Sequence, residues 1–561
     1  MIAQFKAHHL SSARIVAVLL LTLWGASITG CGGGRSNTTT DPNPNPTPTP
    51  PPSSSGTSVL TYHNDNARTA QNLAETVLTP TNVASSTFGK VGFYAVDGKV
   101  DGEPLYVSGM SLPGKGTHNV LIAASEHDTV YAFDADTGST LWSITLLKSG
   151  ETTSDARNCN QVEPEIGVTS TPVIDPKAGP SGAVYVVAMS KNGATYHQRL
   201  HALDLASGAE LFNGPIEIQA KYPGTGDNSD GTNVIFDPAQ YKERVALLLL
   251  NGIIYTSWAS HCDIQPYTGW IIAYNGSTLA QTSVLNITPN GNEGAIWMSG
   301  GALAADDSGN IYLLDGNGTF DTTLDANGFP SKGDFGNAFL KLSTTGNQLA
   351  VADYFEMYNQ AAENSSDGDL GSGSPMLIPD LKDASGNTKH LAVGAGKDAN
   401  LYVVDRDAMG KFDFSRNNIY QEITGAFSGE VFSAPAFFNG TVYMGSVGGP
   451  LQAFTTGGAH LTAAAKTSNS FAYPGASPSI SANGTSNAIV WAVENTTPAI
   501  LHAYDPVSLK ELYNSNQASG GRDQFGDGNK FITPMIANGR VFVGTTNGVA
   551  VFGLLHFGLL H

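Results

Sequence analysis

Acidic and histidine side chains recur in the polar loops that separate the apolar segments of this 561-residue chain. Carboxylates and imidazoles move protons and bind cations, so a set of them on one surface is a candidate site. These residues are Glu103, His127, Asp128, Glu165, His197, His261, Asp263, Glu293, Asp369 and Glu430. We expect them to form one acidic mouth that suits a cation, an amine or a polyol, and we assign none of them a catalytic role. The alternative is that each acid caps a turn and stays solvated.

A second candidate is an oxygen-rich stretch at residues 315–334. It contains Asp315, Asn317, Asp321 and Asp334, and calcium prefers oxygen ligands of this kind. The stretch lacks a full EF-hand pattern. It therefore indicates either a calcium site or a loop held by Asx turns.

The chain has three cysteines, Cys31, Cys159 and Cys262. None has a neighbour at the C-x-x-C spacing that is typical of zinc sites. Oxidation is permitted outside the cytosol, where the N-terminal sequence sends this chain. We therefore predict a disulfide between Cys159 and Cys262.

The N-terminus has the pattern of an export signal. Lys6 and Arg14 precede an apolar run at residues 15–24, which is too short to span a bilayer and leads to Ile28-Thr29-Gly30-Cys31. This pattern resembles a bacterial lipobox and predicts a signal peptide at residues 1–30 with lipid on Cys31. An ordinary secretory signal with an incidental cysteine is the alternative. Residues 31–58, rich in Pro, Thr, Ser and Gly, predict an extended stalk on a membrane-anchored lipoprotein of the cell envelope.

The net charge limits the partners of the chain. Lys and Arg number 28 and Asp and Glu 48, which gives −20; without Lys6 and Arg14 the balance is 26 − 48 = −22. A chain this acidic is repelled by nucleic-acid phosphates, so we exclude nucleic acid as a partner. Besides the membrane, the remaining partner classes are an envelope protein, a glycan and a small molecule.

One pattern of short apolar strands repeats eight times between residues 88 and 561. Six repeats begin with proline before an apolar segment, at Pro104, Pro172, Pro375, Pro435, Pro478 and Pro534, and two less regular ones begin near Val234 and Gly301. Four short strands per repeat predict an all-β fold, an eight-bladed β-propeller of four-stranded antiparallel blades over residues 59–561. The last repeat has room for three strands, so residues 88–94 are expected to close the ring. A seven-bladed ring with one decorated repeat is the alternative.

Several of these segments resemble a known family. The turn Ala132-Phe133-Asp134-Ala135-Asp136-Thr137-Gly138, followed by Leu141-Trp142, is similar to the tryptophan-docking turn of pyrroloquinoline-quinone (PQQ) propellers. Residues 78–83 are similar to the start of the PQQ dehydrogenases. Residues 164–172 and 260–263 resemble a group of exported bacterial lipoproteins with PQQ-like propellers. The resemblance implies a quinoprotein dehydrogenase-like fold.

The resemblance does not carry over the chemistry of a quinoprotein. The family holds a divalent cation on its quinone through a Glu, an Asn and a catalytic Asp, but the loop at residues 191–198 has no carboxylate. Residues 255–260 replace the family's Gly-Asn-Pro element, and its adjacent-cysteine disulfide is missing. The carboxylates of PQQ need basic partners, and Lys397, Arg522 and Lys530 are the only basic residues that we expect in the loops of that face. We therefore expect a binding or scaffold module, with a PQQ- and calcium-dependent oxidoreductase as the alternative.

Overall fold

The eight repeats form the eight blades of a β-propeller, as the sequence predicts. The computed structural model describes residues 57–555; the predicted signal peptide, Cys31 and nearly all of the predicted stalk lie outside these residues. Each blade contains four antiparallel strands. The seven-bladed alternative is wrong, because eight such sheets follow one another along the chain.

The strands are short and follow the chain from the innermost to the outermost position in blades 1 to 7. Blade 1 consists of Leu105–Leu112, Gly116–Ala124, Thr129–Asp134 and Thr140–Thr145. Blade 2 consists of Val173–Asp175, Ala183–Asn192, Thr195–Asp204 and Ile216–Glu217, with Thr152–Thr153 added beside its second strand. Blade 3 consists of Leu248–Leu250, Ile253–Ser257, Trp270–Asn275 and Gln281–Asn286. Blade 4 consists of Ala304–Ala305, Ile311–Leu314, Phe339–Ser343 and Ala350–Phe355.

The second half of the ring repeats this order. Blade 5 consists of Met376–Leu377, Leu391–Ala395, Leu401–Asp405 and Gln421–Ile423. Blade 6 consists of Ala436–Phe438, Thr441–Gly445, Leu451–Thr455 and Thr462–Lys466. Blade 7 consists of Ser479–Asn483, Ser486–Glu494, Ile500–Tyr504 and Glu511–Asn514, with Gln71–Asn72 added in parallel beside its first strand. Blade 8 consists of Met535–Ala537, Arg540–Gly544, Gly548–Leu554 and Phe88–Ala95.

The ring closes with a strand from the start of the propeller. Phe88–Ala95 pairs antiparallel with Gly548–Leu554 and is the outermost strand of blade 8. This confirms the prediction that residues 88–94 complete the last repeat. Blade 8 thus contains strands from both ends of the propeller, and backbone hydrogen bonds inside this blade join the two ends of the ring.

A few elements lie outside the blades. The two-stranded ribbons are Lys221–Pro223 with Asn233–Ile235, Tyr241–Lys242 with Ala259–Ser260, and Leu381–Lys382 with Thr388–Lys389. The described residues contain one short α-helix, Gln360–Ser365, and 3-10 turns at Met298–Gly300, Thr345–Asn347, Leu370–Ser372, Gly457–Ala459 and Ser519–Gly521. No helix in residues 57–555 is long and apolar enough to cross a bilayer.

Blade 3 begins later than the sequence predicts. The segment near Val234 forms the ribbon strand Asn233–Ile235, and the innermost strand of blade 3 is Leu248–Leu250. Val234 packs into the hydrophobic cluster of blades 2 and 3. Both segments are short and apolar, so their periodicity does not tell which of them enters the sheet.

In several blades, an aromatic side chain packs on a turn of the following blade. The indole Nε1 of Trp142 in blade 1 donates to the carbonyl of Leu205 in blade 2 at 2.9 Å. Its ring lies over Gly208, where a Cβ atom would come within 2.7 Å of the ring. Tyr185 of blade 2 donates in the same way to the carbonyl of Gly276 in blade 3 at 2.7 Å. The turn singled out in the sequence, residues 132–138, is docked by a tyrosine: Tyr94 of blade 8 donates to the carbonyl of Ala135 at 2.8 Å.

Residues 59–72, here called the lead-in segment, cross the ring and bind all eight blades. Each contact is a hydrogen bond with the second residue of an innermost strand. In blade order these residues are Tyr106, Ile174, Leu249, Ala305, Leu377, Phe437, Ile480 and Ile536. The lead-in segment therefore plugs the central channel, because the innermost strands line that channel.

Candidate functional site

A cavity of about 390 Å³ opens on the face of the ring where the loops entering the blades meet the loops between second and third strands. This is the face on which the sequence places its candidate mouth. The lining residues come from blades 2 to 7: Gln161, Lys242, Arg244, Ala259, Ser260, Cys262, Asp263, Trp297, Asp367, Asp369, Lys397, Glu430, Phe432 and Tyr473. We call this cavity the mouth pocket.

Arg244 is the most unusual group in the mouth pocket. Its side chain is buried, at 5 % exposure, and its guanidinium stacks on the ring of Phe531 at 4.4 Å. Among residues 57–555 it makes no hydrogen bond and no ion pair within 4.0 Å, although a guanidinium carries five N–H donors. Burial lowers the pKa of Arg244, while the charge of Asp101 opposes that shift. A buried cation without a partner destabilises the folded protein, and an anion bound beside the guanidinium would offset that destabilisation.

Lys242 lies beside Arg244 at the same wall. It is 2 % exposed, and its Nζ donates to Cys159 Sγ at 3.4 Å, a weak acceptor. Burial and the charge of Arg244 lower the pKa of Lys242 to about 7. Lys242 thus carries its proton only part of the time at neutral pH.

The Cys159–Cys262 disulfide is present, which confirms the sequence prediction. The two Cα atoms are 5.5 Å apart, within the range that a bridge requires. The bond joins the loop entering blade 2 to the loop between the second and third strands of blade 3, and Cys262 lines the mouth pocket. The disulfide therefore fixes the wall that carries Lys242.

Lys397, from the loop after the second strand of blade 5, also lines the mouth pocket and is paired. Its Nζ lies 2.5 Å from Asp369 Oδ2 and 2.9 Å from Asp367 Oδ1, and 5.6 Å from the centre of the Trp297 ring. Burial raises the pKa of Asp369 to about 6, and Lys397 opposes this rise. The positive charge of Lys397 is thereby largely compensated, unlike that of Arg244.

Aromatic rings form one side of the mouth pocket. Phe432 contacts both Trp297 and Tyr473, with ring centres 5.8 and 5.5 Å apart. Such rings offer flat apolar area and place a ligand by stacking. The mouth pocket thus combines an aromatic wall with a buried cationic wall.

The structure brings three of the ten predicted mouth residues to the mouth pocket, namely Asp263, Asp369 and Glu430. Glu293 is nearby in the loop before blade 4, where its carboxylate accepts from Gln265 Nε2 at 2.7 Å. Burial raises the pKa of Glu293. The other six lie elsewhere.

Four of those six form two groups beside blade 2. His127 Nδ1 lies 3.0 Å from Glu165 Oε2, and burial followed by the charge of Glu165 raises the pKa of the nearby Asp128 well above its usual range. His197 Nδ1 lies 3.3 Å from Glu217 Oε2, between the outer strands of the blade. His127 and His197 are thus paired with carboxylates, the carboxyl of Asp128 is buried without a hydrogen-bond partner among residues 57–555, and none of these side chains lines the mouth pocket.

The remaining two, Glu103 and His261, are buried in the protein. Burial raises the pKa of Glu103 to about 8, and its carboxyl accepts from the backbone N–H of His63 in the lead-in segment at 3.2 Å. Burial and the charge of Lys242 lower the pKa of His261 to about 3. Both side chains are therefore uncharged at neutral pH.

The predicted calcium loop is held by hydrogen bonds to backbone N–H groups. Asp315 accepts from Ala338 at 2.7 Å, Asp321 from Lys332 at 2.8 Å and Asp334 from Asn290 at 2.8 Å. Among residues 57–555 no group of three or more His, Cys, Asp or Glu side chains is placed to hold a metal. The loop also supports the mouth pocket, since the backbone N–H of Asn317 donates to Asp369 Oδ1 at 2.7 Å.

The balance of bases at the mouth pocket differs from the sequence expectation. The sequence predicts neither Lys242 nor Arg244 at this face, yet both line the cavity. Arg522 is predicted at this face, but its guanidinium pairs with Asp523 and donates to the carbonyls of Ser85 and Phe88 beside the closing strand. The wall of the mouth pocket is therefore of mixed charge.

Comparison with solved structures identifies the fold. The chain is similar to the quinohemoprotein alcohol dehydrogenase of Comamonas testosteroni, with a TM-score of 0.58, 14% identity, and coverage of 89% of this chain and 80% of that one. For a quinohemoprotein alcohol dehydrogenase of Pseudomonas putida HK5, the TM-score is 0.59 and the identity 13%, with coverage of 90% of this chain and 81% of that one. For a europium-containing methanol dehydrogenase, the TM-score is 0.57 and the identity 13%, with coverage of 89% of this chain and 98% of that one. No protein-family model and no curated protein matches the chain.

The chain thus has the quinoprotein dehydrogenase-like propeller fold that its segments resemble. Identities of 13% and 14% establish a shared fold and not a shared activity.

Proposed function

We propose that this propeller is a binding module whose mouth pocket holds a small anionic molecule with a flat, partly apolar body. One observation carries the proposal: Arg244 is buried, lines the cavity and has no hydrogen-bond or ion-pair partner in the described part of the chain. Leaving a buried charge unpaired costs several kcal/mol, and a carboxylate or phosphate would remove that cost. An acidic mouth for cations is less well supported, because Lys397 already binds Asp367 and Asp369.

The dimensions of the mouth pocket support a ligand of metabolite size. Its volume of about 390 Å³ lies in the range of small-molecule sites. The rings of Trp297, Phe432 and Tyr473 stand on the same cavity as the cations. A molecule with one charged edge and one flat face would use both walls.

A second candidate function is a quinoprotein oxidoreductase with an altered cofactor site. The likeness in fold favours it, and Lys242 and Arg244 would suit the carboxylates of PQQ. The divalent cation of that chemistry does not fit, because the loop at residues 191–198 offers no carboxylate ligand and residues 255–260 replace the Gly-Asn-Pro element that would supply the Asn. We therefore derive no catalytic step through the quinone.

Titration of the purified protein separates the two functions. The probes are isophthalate, its uncharged diamide, and PQQ with and without calcium. A binding module is expected to bind isophthalate at least 10-fold more tightly than the diamide, with no need for calcium. Equal affinity for isophthalate and its diamide would refute the anion site, whereas calcium-dependent reduction of a dye by an alcohol in the presence of PQQ would establish the oxidoreductase.

We further propose that the module is held at the cell envelope by lipid on Cys31. The support is the short apolar run before Ile28-Thr29-Gly30-Cys31 and the proline-rich stretch behind it. In a bacterial host, the Cys31→Ser variant is expected to leave the membrane fraction and become soluble. If that variant sediments with membranes as the unmodified protein does, the lipid anchor is refuted.

A further inference from the structure

Lys242 has the surroundings of a nucleophilic amine. It ends the short strand Tyr241–Lys242, which pairs with Ala259–Ser260 and is thereby fixed to the wall that carries Cys262. Its Nζ has one hydrogen-bond partner among residues 57–555, the sulfur of Cys159 at 3.4 Å. No carboxylate of that range lies within 4.0 Å of it. An amine in such a place is poorly stabilised as an ammonium ion.

The charge state of Lys242 agrees with this geometry. Burial and the neighbouring Arg244 lower its pKa to about 7, so a large fraction of the side chain is unprotonated at neutral pH. An unprotonated lysine has the lone pair that attacks carbonyl carbon, and desolvation is a known route to such lysines.

Arg244 places a second ligand group beside this amine. Lys242 and Arg244 both line the mouth pocket, whereas Glu243 between them does not. Side chains two positions apart on an extended segment point to the same side. A ligand bound to Arg244 by its carboxylate would thus hold an adjacent carbon near the Nζ of Lys242.

We propose that Lys242 forms an imine with an oxo acid, a ligand that bears a ketone or aldehyde next to a carboxylate, while Arg244 binds that carboxylate. The inference rests on the proposed function, because it names the ligand class of the same cavity. The lone pair of Nζ attacks the carbonyl carbon, and the carbon–nitrogen bond forms as the carbonyl oxygen takes a proton. One of the two Nζ protons has then replaced the proton taken up by that oxygen, the other leaves with the hydroxyl as water, and a carbon–nitrogen double bond remains.

No oxidant or reductant takes part in this condensation, since amine and carbonyl give imine and water. The proton transfers need a carboxylate at hand. Asp263 lines the mouth pocket, and its charge acts on Lys242.

Reductive trapping tests the proposal on the unmodified protein. The probe is glyoxylate with sodium cyanoborohydride, which reduces an imine to a stable carboxymethyl amine. Intact-mass and peptide measurements are expected to find one such group per chain, on Lys242. Acetaldehyde, which has the carbonyl without the carboxylate, is expected to modify Lys242 at least 10-fold less efficiently, because Arg244 has nothing to bind.

Variants complete the test. Lys242→Met is expected to abolish the single modification, and Lys466→Met, which changes an exposed lysine on the outer strand of blade 6, is expected to leave it intact. Modification spread over surface lysines, or equal modification by acetaldehyde, overturns the imine. If isophthalate still binds in that case, the binding module stands and only the imine fails. If isophthalate does not bind either, both fail.

Discussion

In the Arg244→Met variant, the affinity of the mouth pocket for isophthalate is expected to fall at least about 30-fold. Removing one member of a buried, hydrogen-bonded charge pair costs about 2 to 5 kcal/mol of binding free energy, which corresponds to a factor of about 30 or more. Methionine keeps much of the length of the side chain and can still cover the ring of Phe531, which Arg244 contacts at 4.4 Å. Isothermal titration calorimetry measures the change.

The same substitution is expected to leave the free protein as stable or more stable. Arg244 is buried without a hydrogen-bond or ion-pair partner among the described residues, so methionine removes an uncompensated charge. Urea unfolding should give an unfolding free energy that is unchanged or higher by about 1 kcal/mol. The matched control is Arg416→Met, which replaces an exposed arginine and should change neither quantity. Wild-type affinity in Arg244→Met would place the anion elsewhere.

The sequence predicts the propeller because its signals are local and repeated. The proline that precedes six of the eight apolar starts suits an innermost strand, since that strand is the inner edge of its blade and does not need every N–H for pairing. The same signal is missing before Leu248–Leu250, which is why blade 3 was placed too early, at Val234. Repetition thus locates a regular blade better than an irregular one.

The sequence predicts the face of the site better than its chemistry. Loop position correctly brings Asp263, Asp369 and Glu430 to one cavity. Loop position does not tell which acids are neutral in the interior, and Glu103, with a pKa raised to about 8 by burial, is one of them. Whether a carboxylate meets solvent depends on contacts distant in sequence, here with the lead-in segment.

Lys242 and Arg244 were missed for a related reason. They stand in the segment Tyr241-Lys242-Glu243-Arg244-Val245, directly before the unmarked start of blade 3. Charged residues in such a place are usually solvated. Their burial follows from the ribbon with Ala259–Ser260 and from the Cys159–Cys262 bridge, which are pairings over long sequence distances. A correct start for blade 3 would have placed both residues in an entering loop.

The Arg68→Ala variant is expected to lower the free energy of unfolding by about 3 to 5 kcal/mol, the largest stability effect that we predict. Arg68 lies in the lead-in segment and is 1 % exposed. Its guanidinium donates to the carbonyl of Leu303 in the loop entering blade 4 at 2.7 Å, to Thr61 Oγ1 at 2.8 Å and to the carbonyl of Tyr62 at 3.0 Å. Alanine leaves these buried acceptors unpaired and creates a cavity, and each of these effects is costly.

Because Arg68 links contacts of several blades, its removal is expected to destabilise the whole propeller and not one blade alone. The guanidinium ties Thr61 and Tyr62, which follow the contacts with blades 1 and 2, to Leu303, which precedes blade 4. Without this tie, the lead-in segment holds the eight innermost strands together less firmly, so urea unfolding should remain one cooperative transition at a lower midpoint. Arg416→Ala, at an exposed site, should change the unfolding free energy by less than about 0.5 kcal/mol. An Arg68→Ala protein as stable as this control would mean that the lead-in segment covers the channel without stabilising the ring.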